Sequence, residues 1–369
     1  MPDVHSNLPP SASKMWISCP PAAMLNAKAP DTGSSYALAG TLAHSIGEAK
    51  IRQALGEDVT IPECADAEMD EATDLYRDFV MEQIEATRAS CRDPTVLVEQ
   101  RVSCERWAAG CFGTADFLLI SDQMLHICDL KYGQLEVSAQ DNTQLMCYSL
   151  GAIEAFSSLY EFTEVKMTIF QPRLNHCDTC TKTVEELLQW GDTVLKPAAA
   201  LALAGEGEFC AGEHCRFCKV KQTCRKRAEY NLALARYDFA MPPELTDDEI
   251  EAILAKADDL TSWISDIKDY AMQQALSGKH WSQWKLVEGR SVRKYTNESA
   301  VADAVTAAGF DPYEHKVLGL TAMTKLLGKR KFEELLGSLI HKPPGKPTLV
   351  PISDRRAEWN TAKNDFMED

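Results

Sequence analysis

No apolar run in the 369-residue chain approaches the ~18 residues of a transmembrane helix. The first ten residues, Met1-Pro-Asp-Val-His-Ser-Asn-Leu-Pro-Pro, lack the basic and apolar stretches of a secretory signal. Both absences lead to the expectation of a cytoplasmic chain with no membrane partner. A cationic excess is missing too. The net charge is −17, from 38 Lys and Arg against 55 Asp and Glu, whereas nucleic-acid binders usually carry the opposite balance. There is no internal repeat. A disulfide framework is disfavoured, because the thirteen cysteines are odd in number and unevenly spaced and the expected compartment is reducing.

What is present fits a soluble globular protein. Hydrophobic content is 45% and charged content 25%, and the length suits two or three domains. Residues 1–35 are rich in Pro, Ser and Ala, with Trp16 and Cys19 embedded in Lys14-Met-Trp-Ile-Ser-Cys-Pro-Pro. Helices are expected over 36–56 and, as an amphipathic acidic segment with Leu75, Phe79 and Ile84 on its apolar positions, over 65–90. Strands follow at 95–103, 112–120 and 124–131, then a helix at 139–158 and a strand at 165–171 stopped by Pro172. Residues 183–204 read as helical. Thr246-Asp-Asp-Glu249 is a capping box opening a helix that ends near Gly278. A short β-like stretch, 281–293, and helices at 297–309 and 321–340 complete the pattern. The fold class is α/β (α+β), a mixed sheet flanked by helices. The domains expected are 1–240 and a mostly helical 241–369.

Two strands carry the chemistry. One reads Gly113-Thr-Ala-Asp116-Phe-Leu-Leu-Ile and the next His126-Ile-Cys-Asp129-Leu-Lys131-Tyr-Gly. Twelve residues separate the two aspartates, enough for a strand end, a tight turn at Ser121-Asp122-Gln123 and a returning strand. Asp129 and Lys131 are two apart, so they project from one face of a strand. Two carboxylates and an ammonium held together call for a counter-charge, and a divalent metal ion is the usual one. A metal between carboxylates, with a lysine beside it, is equipment for phosphodiester hydrolysis. Companions are Glu99 in mid-strand, His44 on the early helix, and Gln144 with Tyr148, one helical turn apart.

The segments Gly113…Asp116, Asp129-Leu-Lys131 and Gln144…Tyr148, preceded by His44, resemble the PD-(D/E)XK nuclease superfamily and within it the RecB-like branch. The order helix, three strands, helix, strand is similar to that family's core. The resemblance implies Mg²⁺ or Mn²⁺ held by Asp116 and Asp129 with the backbone carbonyl of Leu130, and His44 as a further ligand. It implies that Lys131 orients or activates water and stabilises phosphorane charge, and that Gln144 and Tyr148 position DNA or the lysine. Glu99 would be a second-metal or supporting group.

A second constellation is Cys210-Ala-Gly-Glu-His-Cys215-Arg-Phe-Cys218-Lys-Val-Lys-Gln-Thr-Cys224. The Cys-x2-Cys-x5-Cys run brings three thiolates toward one inorganic centre, which needs a fourth ligand. The iron–sulfur nucleases of the RecB-like branch resemble this arrangement, with one cysteine before the nuclease core and three after it. The resemblance implies a structural [4Fe-4S] cluster on Cys19, Cys215, Cys218 and Cys224, closing a loop of about two hundred residues as a staple. Three alternatives stay open: Cys210 as the fourth ligand, His214 as a ligand of a zinc site, or Cys177 and Cys180 pairing with Cys215 and Cys218 in a zinc ribbon. The remaining cysteines, among them Cys104, Cys111 and Cys147, read as small buried hydrophobes. Cys177 and Cys180 read instead as two incidental cysteines in a loop.

From Lys325 to Arg356 there are eight Lys and Arg against Glu333, Glu334 and Asp354. Lys329, Arg330, Lys331, Lys342 and Lys346 are the candidate DNA contacts there, near aromatics that suit single-stranded nucleic acid; a solvated helix face is the equal alternative. With its Trp-x-x-Cys-Pro start, Asp-Leu-Lys-Tyr-Gly strand, His-Cys-x-x-Cys cluster and C-terminal Lys-Pro-x-Gly-Lys-Pro-Thr-Leu-Val-Pro stretch, nearly the whole chain also resembles a family of uncharacterised bacteriophage and prophage proteins. That likeness implies a recombination or replication setting, with single-strand-annealing or single-strand-binding proteins as partners and oligomers conceivable. The expectation is a DNA nuclease acting from an end. The alternative is a non-cleaving DNA-binding accessory with a zinc-stapled, nuclease-like fold.

Overall fold

The computed structural model describes residues 6–30, 35–233, 245–287, 295–313 and 317–341. The chain divides into two compact units, Met1–Gln273 and Gln274–Asp369. The junction expected near residue 240 lies outside the described residues.

The first unit is built on a five-stranded mixed sheet of β1 (Thr95–Ser103), β2 (Phe112–Ser121), β3 (Met124–Leu130), β4 (Glu164–Gln171) and β5 (His176–Thr183), in that spatial order. Strands β1, β2 and β3 run antiparallel as a meander, β4 is parallel to β3, and β5 is antiparallel to β4. The parallel step needs a crossover, supplied by α5 (Thr143–Phe156), whose first turn is capped by Asn142 accepting from the Gln144 and Leu145 amides.

Helices cover both faces. On one, Ile51 of α3 (Ser35–Ala54) and Tyr76, Val80 and Ile84 of α4 (Ala67–Arg88) pack on Phe117, Leu119, Cys128 and Leu130. The expected apolar face of α4 is shifted, since Leu75 is exposed while Tyr76 and Val80 are buried. On the other face, α5 packs with α1 (Ser13–Ser18), α6 (Val184–Trp190) and α7 (Lys196–Ala204) over Leu118, Ile120, Leu125, Ile127 and the β4 residues Val165, Met167 and Ile169. A π-helical turn, Gly191–Leu195, joins α6 to α7.

The two sheet faces exchange partway along β1 and β2. Leu97 and Val102 belong to the same core although they are five positions apart, an odd step in the pleat, and so do Ala115 and Leu118, three apart. The cause is Glu99, whose φ of 51° is left-handed and uncommon for a residue with a Cβ. Val98 pairs with Phe117 and Gln100 with Ala115, so the break falls where Glu99 faces Asp116.

Three elements differ from expectation, and one segment to which the sequence assigned no element carries helices. The first 35 residues carry α1 and α2 (Pro21–Lys28), with Pro21 in the first helical turn. Cys177 and Cys180 lie on the edge strand β5, not in a loop. Residues 281–287 form no strand, and 288–293 lie outside the described residues. The helix expected at 321–340 is broken at Gly328, whose φ is 74°, into two helices of the second unit. The remaining helices are α8 (Arg225–Leu232), α9 (Asp247–Leu276, opened by the Thr246/Glu249 capping box), α10 (Glu298–Ala307), α11 (Leu320–Leu327) and α12 (Lys329–Leu336).

Candidate functional site

Asp116 on β2 and Asp129 on β3 are both buried. Asp116 Oδ2 accepts a hydrogen bond from the Leu130 amide (2.7 Å), which fixes the β3 end against β2. Its Oδ1 lies 3.1 Å from His44 Nδ1 on α3. Asp129 Oδ1 accepts from Gln144 Nε2 at 2.9 Å. Asp129 Oδ2 lies 2.8 Å from Lys131 Nζ, but the pair is poorly angled and Oδ2 accepts no hydrogen bond. Lys131 instead donates to Gln144 Oε1 at 2.8 Å. The Gln144 amide can sit only one way round, because the reverse would set oxygen against carboxylate and NH₂ against ammonium. Its NH₂ also donates to Tyr148 Oη at 3.2 Å. Tyr148 is held in turn by Gly113, where a Cβ would come within 3.0 Å of the ring.

His44, Glu99 and Asp116 bring one ligand atom each within 4.8 Å of one another. The electrostatics match this crowding. Burial, followed by repulsion from Asp116 and Glu48, raises the Glu99 pKa to about 7. Burial opposes protonation of His44, but its hydrogen bond to Asp116 and the charges of Asp116 and Asp129 outweigh it and raise the pKa to about 9. Burial is also the main influence on Asp129, whose carboxyl is raised, with Asp116 adding repulsion and Lys131 opposing. At Lys131 burial is outweighed by Asp129, and the ammonium is favoured.

These groups fit a hard divalent cation. The donors are carboxylate oxygens and one imidazole, and Glu99, Asp116 and His44 bring them within 4.8 Å of one another, with the buried Asp129 carboxylate on the neighbouring strand. The structure brings together Asp116, Asp129, Lys131, Gln144, Tyr148, His44 and the Leu130 backbone. It places Glu99 in the group with His44 and Asp116.

The cysteine segment lies against α1 and α2. Cys19, Cys215, Cys218 and Cys224 line one cavity, together with Arg227. Cys19 and Cys218 share a small core with Met15 and Ala22. Asn26 of α2 accepts from the Lys219 amide (2.6 Å) and donates to Cys218 Sγ (3.3 Å), and Lys14 pairs with Glu213 at 3.1 Å. Cys210 lines the cavity but is exposed. His214 spends Nε2 on the Cys210 carbonyl at 2.9 Å, and its contact with Cys19 raises its pKa. Four soft thiols around one cavity suit an iron–sulfur or zinc centre. The guanidinium of Arg227 is 1% exposed, pairs with Asp266 at 2.6 Å and leaves Nε without a partner. Asp259 lies 3.5 Å from the same guanidinium, so two carboxylates already face it. Cys177 and Cys180 are not among the residues lining this cavity.

Of the C-terminal basic residues, Lys331 is exposed at the start of α12. The side chains of Lys329 and Arg330, and all of Lys342 and Lys346, lie outside the described residues. One grouping had no sequence signal: Cys104, Cys111 and Cys147, all buried, bring their sulfurs within 4.8 Å of one another. They come from a loop and a helix, so spacing alone could not join them.

No helix among the described residues is long and apolar enough to cross a membrane. Among solved structures the chain is similar to the protein described as "Crystal structure of SSO0001", at 9% identity over 58% of this chain and 96% of that one. The TM-score is 0.24, too slight a likeness to carry a conclusion. Residues 5–357 match the family described as "Protein of unknown function (DUF2800)", and the chain belongs to that family.

Proposed function

We propose that the chain is a Mg²⁺- or Mn²⁺-dependent deoxyribonuclease of the PD-(D/E)XK, RecB-like kind, acting from DNA ends. The observation that carries this reading is the closed Asp129–Lys131–Gln144 triangle beside Asp116, His44 and Glu99. A purely structural ion pair has no need of a second buried carboxylate, a strained glutamate and an imidazole crowded against it. The cation, held by Asp116, Asp129, His44 and the Leu130 carbonyl with Glu99 alongside, would supply Lewis acidity at the scissile phosphate.

The protein's own groups divide the remaining work. Lys131 presents a cation that can orient water and meet charge building on the phosphate oxygens. Gln144 holds Lys131 and Asp129 in register, and Tyr148 limits where Gln144 can turn. Approach of DNA to an acidic protein is eased by the cysteine segment. There Arg216, Lys219, Arg225 and Lys226 are exposed beside Phe217, itself 75% exposed, with no acid between Glu213 and Glu229. Cations around an exposed aromatic suit phosphates and unstacked bases.

A structural [4Fe-4S] cluster on Cys19, Cys215, Cys218 and Cys224 belongs to the same proposal, supported by the burial of Cys19 against the exposure of Cys210. The phage recombination or replication setting rests on the sequence resemblance alone. The test is digestion of end-labelled single- and double-stranded DNA with Mg²⁺ or Mn²⁺, using anaerobically purified protein. Wild type should release labelled nucleotides, and Asp129→Ala should stop release while remaining folded. DNA binding without cleavage by wild type would favour the non-cleaving accessory. Colourless protein carrying zinc would reject the iron–sulfur assignment.

A further inference from the structure

Cys104 and Cys111 continue the β1–β2 ladder by one step. Ser103 pairs with Phe112 at its end, and Cys104 donates its amide to the Cys111 carbonyl at 3.0 Å. Residues directly opposed on antiparallel strands have Cα atoms about 4.5–5.5 Å apart, within the range a disulfide spans. Their sulfurs are already in contact at 2.6 Å. Cys147 on α5 reaches both. All three are at most 2% exposed, inside the larger core.

A metal fits this grouping poorly. It stops at three ligands among the described residues. The groups acting on Cys104 and Cys111 are each other, Cys147, burial and the Cys104 backbone, with no cation among them. Three thiolates on a divalent ion would therefore hold one net negative charge in an apolar core permanently, whereas a thiolate formed during oxidation is transient. A disulfide buries none.

We propose that Cys104, Cys111 and Cys147 form an oxidation site in which a peroxide converts Cys104 and Cys111 to a disulfide that Cys147 can take over. The Cys104 thiolate attacks one peroxide oxygen, giving a sulfenic acid and one water after protonation. The Cys111 thiol then attacks that sulfur and releases a second water, so two thiols and H₂O₂ become one disulfide and two waters. In the exchange step Cys147 sulfur attacks Cys111, the Cys104–Cys111 bond breaks, and the proton lost by Cys147 ends on Cys104. Hydrogen bonds from Cys111 and Cys147 favour thiolate at Cys104, which suits it as first attacker and as leaving group.

The 104–111 loop joins the two cysteines at the surface, with Glu105, Arg106 and Ala109 exposed, so an opening of this loop would admit peroxide. The N-terminal segment fastens that loop, with Ser6 Oγ donating to the Gly110 carbonyl at 2.7 Å. The inference stands apart from the proposed nuclease activity.

The chain supplies its own assay. Trypsin cuts after Arg101, Arg106, Lys131 and Lys166, placing Cys104 in Val102–Arg106, Cys111 in Trp107–Lys131 and Cys147 in Tyr132–Lys166. Native full-length protein is treated with H₂O₂, alkylated, unfolded and digested without reductant for mass spectrometry. Val102–Arg106 should appear joined to Trp107–Lys131, two hydrogens lighter than the two free peptides. Cys128→Ser should keep that product, since Cys128 shares the second peptide. Cys147→Ser should keep it as well, and in Cys111→Ser the Cys104 peptide should join Tyr132–Lys166. Recovery of Val102–Arg106 fully alkylated after peroxide, with no link between Trp107–Lys131 and Tyr132–Lys166 to show that Cys147 had taken over the bridge, would overturn the proposal. So would a link that moves to Cys128 in Cys111→Ser, or bound zinc that is lost in that variant.

Discussion

Lys131→Met strips the buried Asp129 carboxylate of its adjacent ammonium. The two members of the pair are unequal: the Asp129 side chain is 2% exposed and that of Lys131 27%. Removing the cation leaves a carboxylate that cannot reach water, whereas removing the carboxylate leaves an ammonium that can. Breaking a buried pair from one side costs about 3–5 kcal/mol. Protonation sets a ceiling. From its ordinary value of 3.8, neutralising Asp129 at pH 7.5 costs about 5 kcal/mol, and at pH 5.5 only about 2 kcal/mol. Without the lysine, the folded-state pKa of Asp129 lies above its unfolded value. The destabilisation is therefore full at neutral pH and fades as pH falls toward 3.8. Chemical unfolding in EDTA should show Lys131→Met less stable than wild type by about 3 kcal/mol at pH 7.5 and by no more than about 2 kcal/mol at pH 5.5. Asp129→Asn should be close to wild type, because it also relieves repulsion with Asp116. The double variant should recover most of the loss, although none of the three should cleave DNA. Wild-type stability of Lys131→Met at pH 7.5, or a double variant no better than the single, would refute the reasoning.

Other perturbations probe separate parts of the molecule. Burial, with Lys166 adding to it, lowers the His126 pKa to about 3, so the imidazole is neutral when folded and gains a proton on unfolding below about 6.5. Wild type should lose about 2 kcal/mol between pH 7.5 and pH 5 that His126→Gln does not, as read from denaturant midpoints. Gly151→Ala on α5 would set a Cβ 2.9 Å from the Ser103 amide nitrogen; backbone cannot yield as a side chain can, and a loss of about 2 kcal/mol is expected in thermal unfolding. Arg216→Glu with Lys219→Glu should weaken DNA binding and lower the salt slope by about two, measured by titration at several ionic strengths; unchanged binding would move the DNA contact elsewhere.

The strands that carry Asp116 and Asp129 were legible to within about a residue, since apolar runs bounded by turn residues are local signals. The α5 helix was legible as an element, with an expected span, 139–158, that starts four residues before Thr143. Strand β5 was not: His176-Cys-Asp-Thr-Cys-Thr-Lys-Thr has no apolar face, and its alternation of half-buried and exposed residues comes from lying at the sheet edge. The left-handed backbone at Glu99 was equally hidden. Glutamate has no preference for that conformation, and only the strand opposite, with Asp116 facing it, shows why the break falls there. The cysteines divide the same way. Cys215, Cys218 and Cys224 stand close in sequence and could be grouped by spacing, whereas Cys104 and Cys147 meet only because α5 lies on the end of β1.

Helix α5 is where these separate features become mechanically linked. Its first turn is tied to α1 by the Ser13–Thr143 hydroxyl contact at 2.7 Å, and α1 leads directly to Cys19 and the cavity of the cysteine segment. One turn carries Gln144, which holds Asp129 and Lys131; the next carries Cys147 and Tyr148. Gly151 lets the same helix approach the β1 backbone closely. A rigid helix cannot shift at one of these contacts alone. Loss of the proposed cysteine-segment centre, or a bridge from Cys147 to the β1–β2 loop, would therefore be felt at Gln144. That differs from damage to Lys131 itself: the ammonium would remain, and the register between it and Asp129 would change.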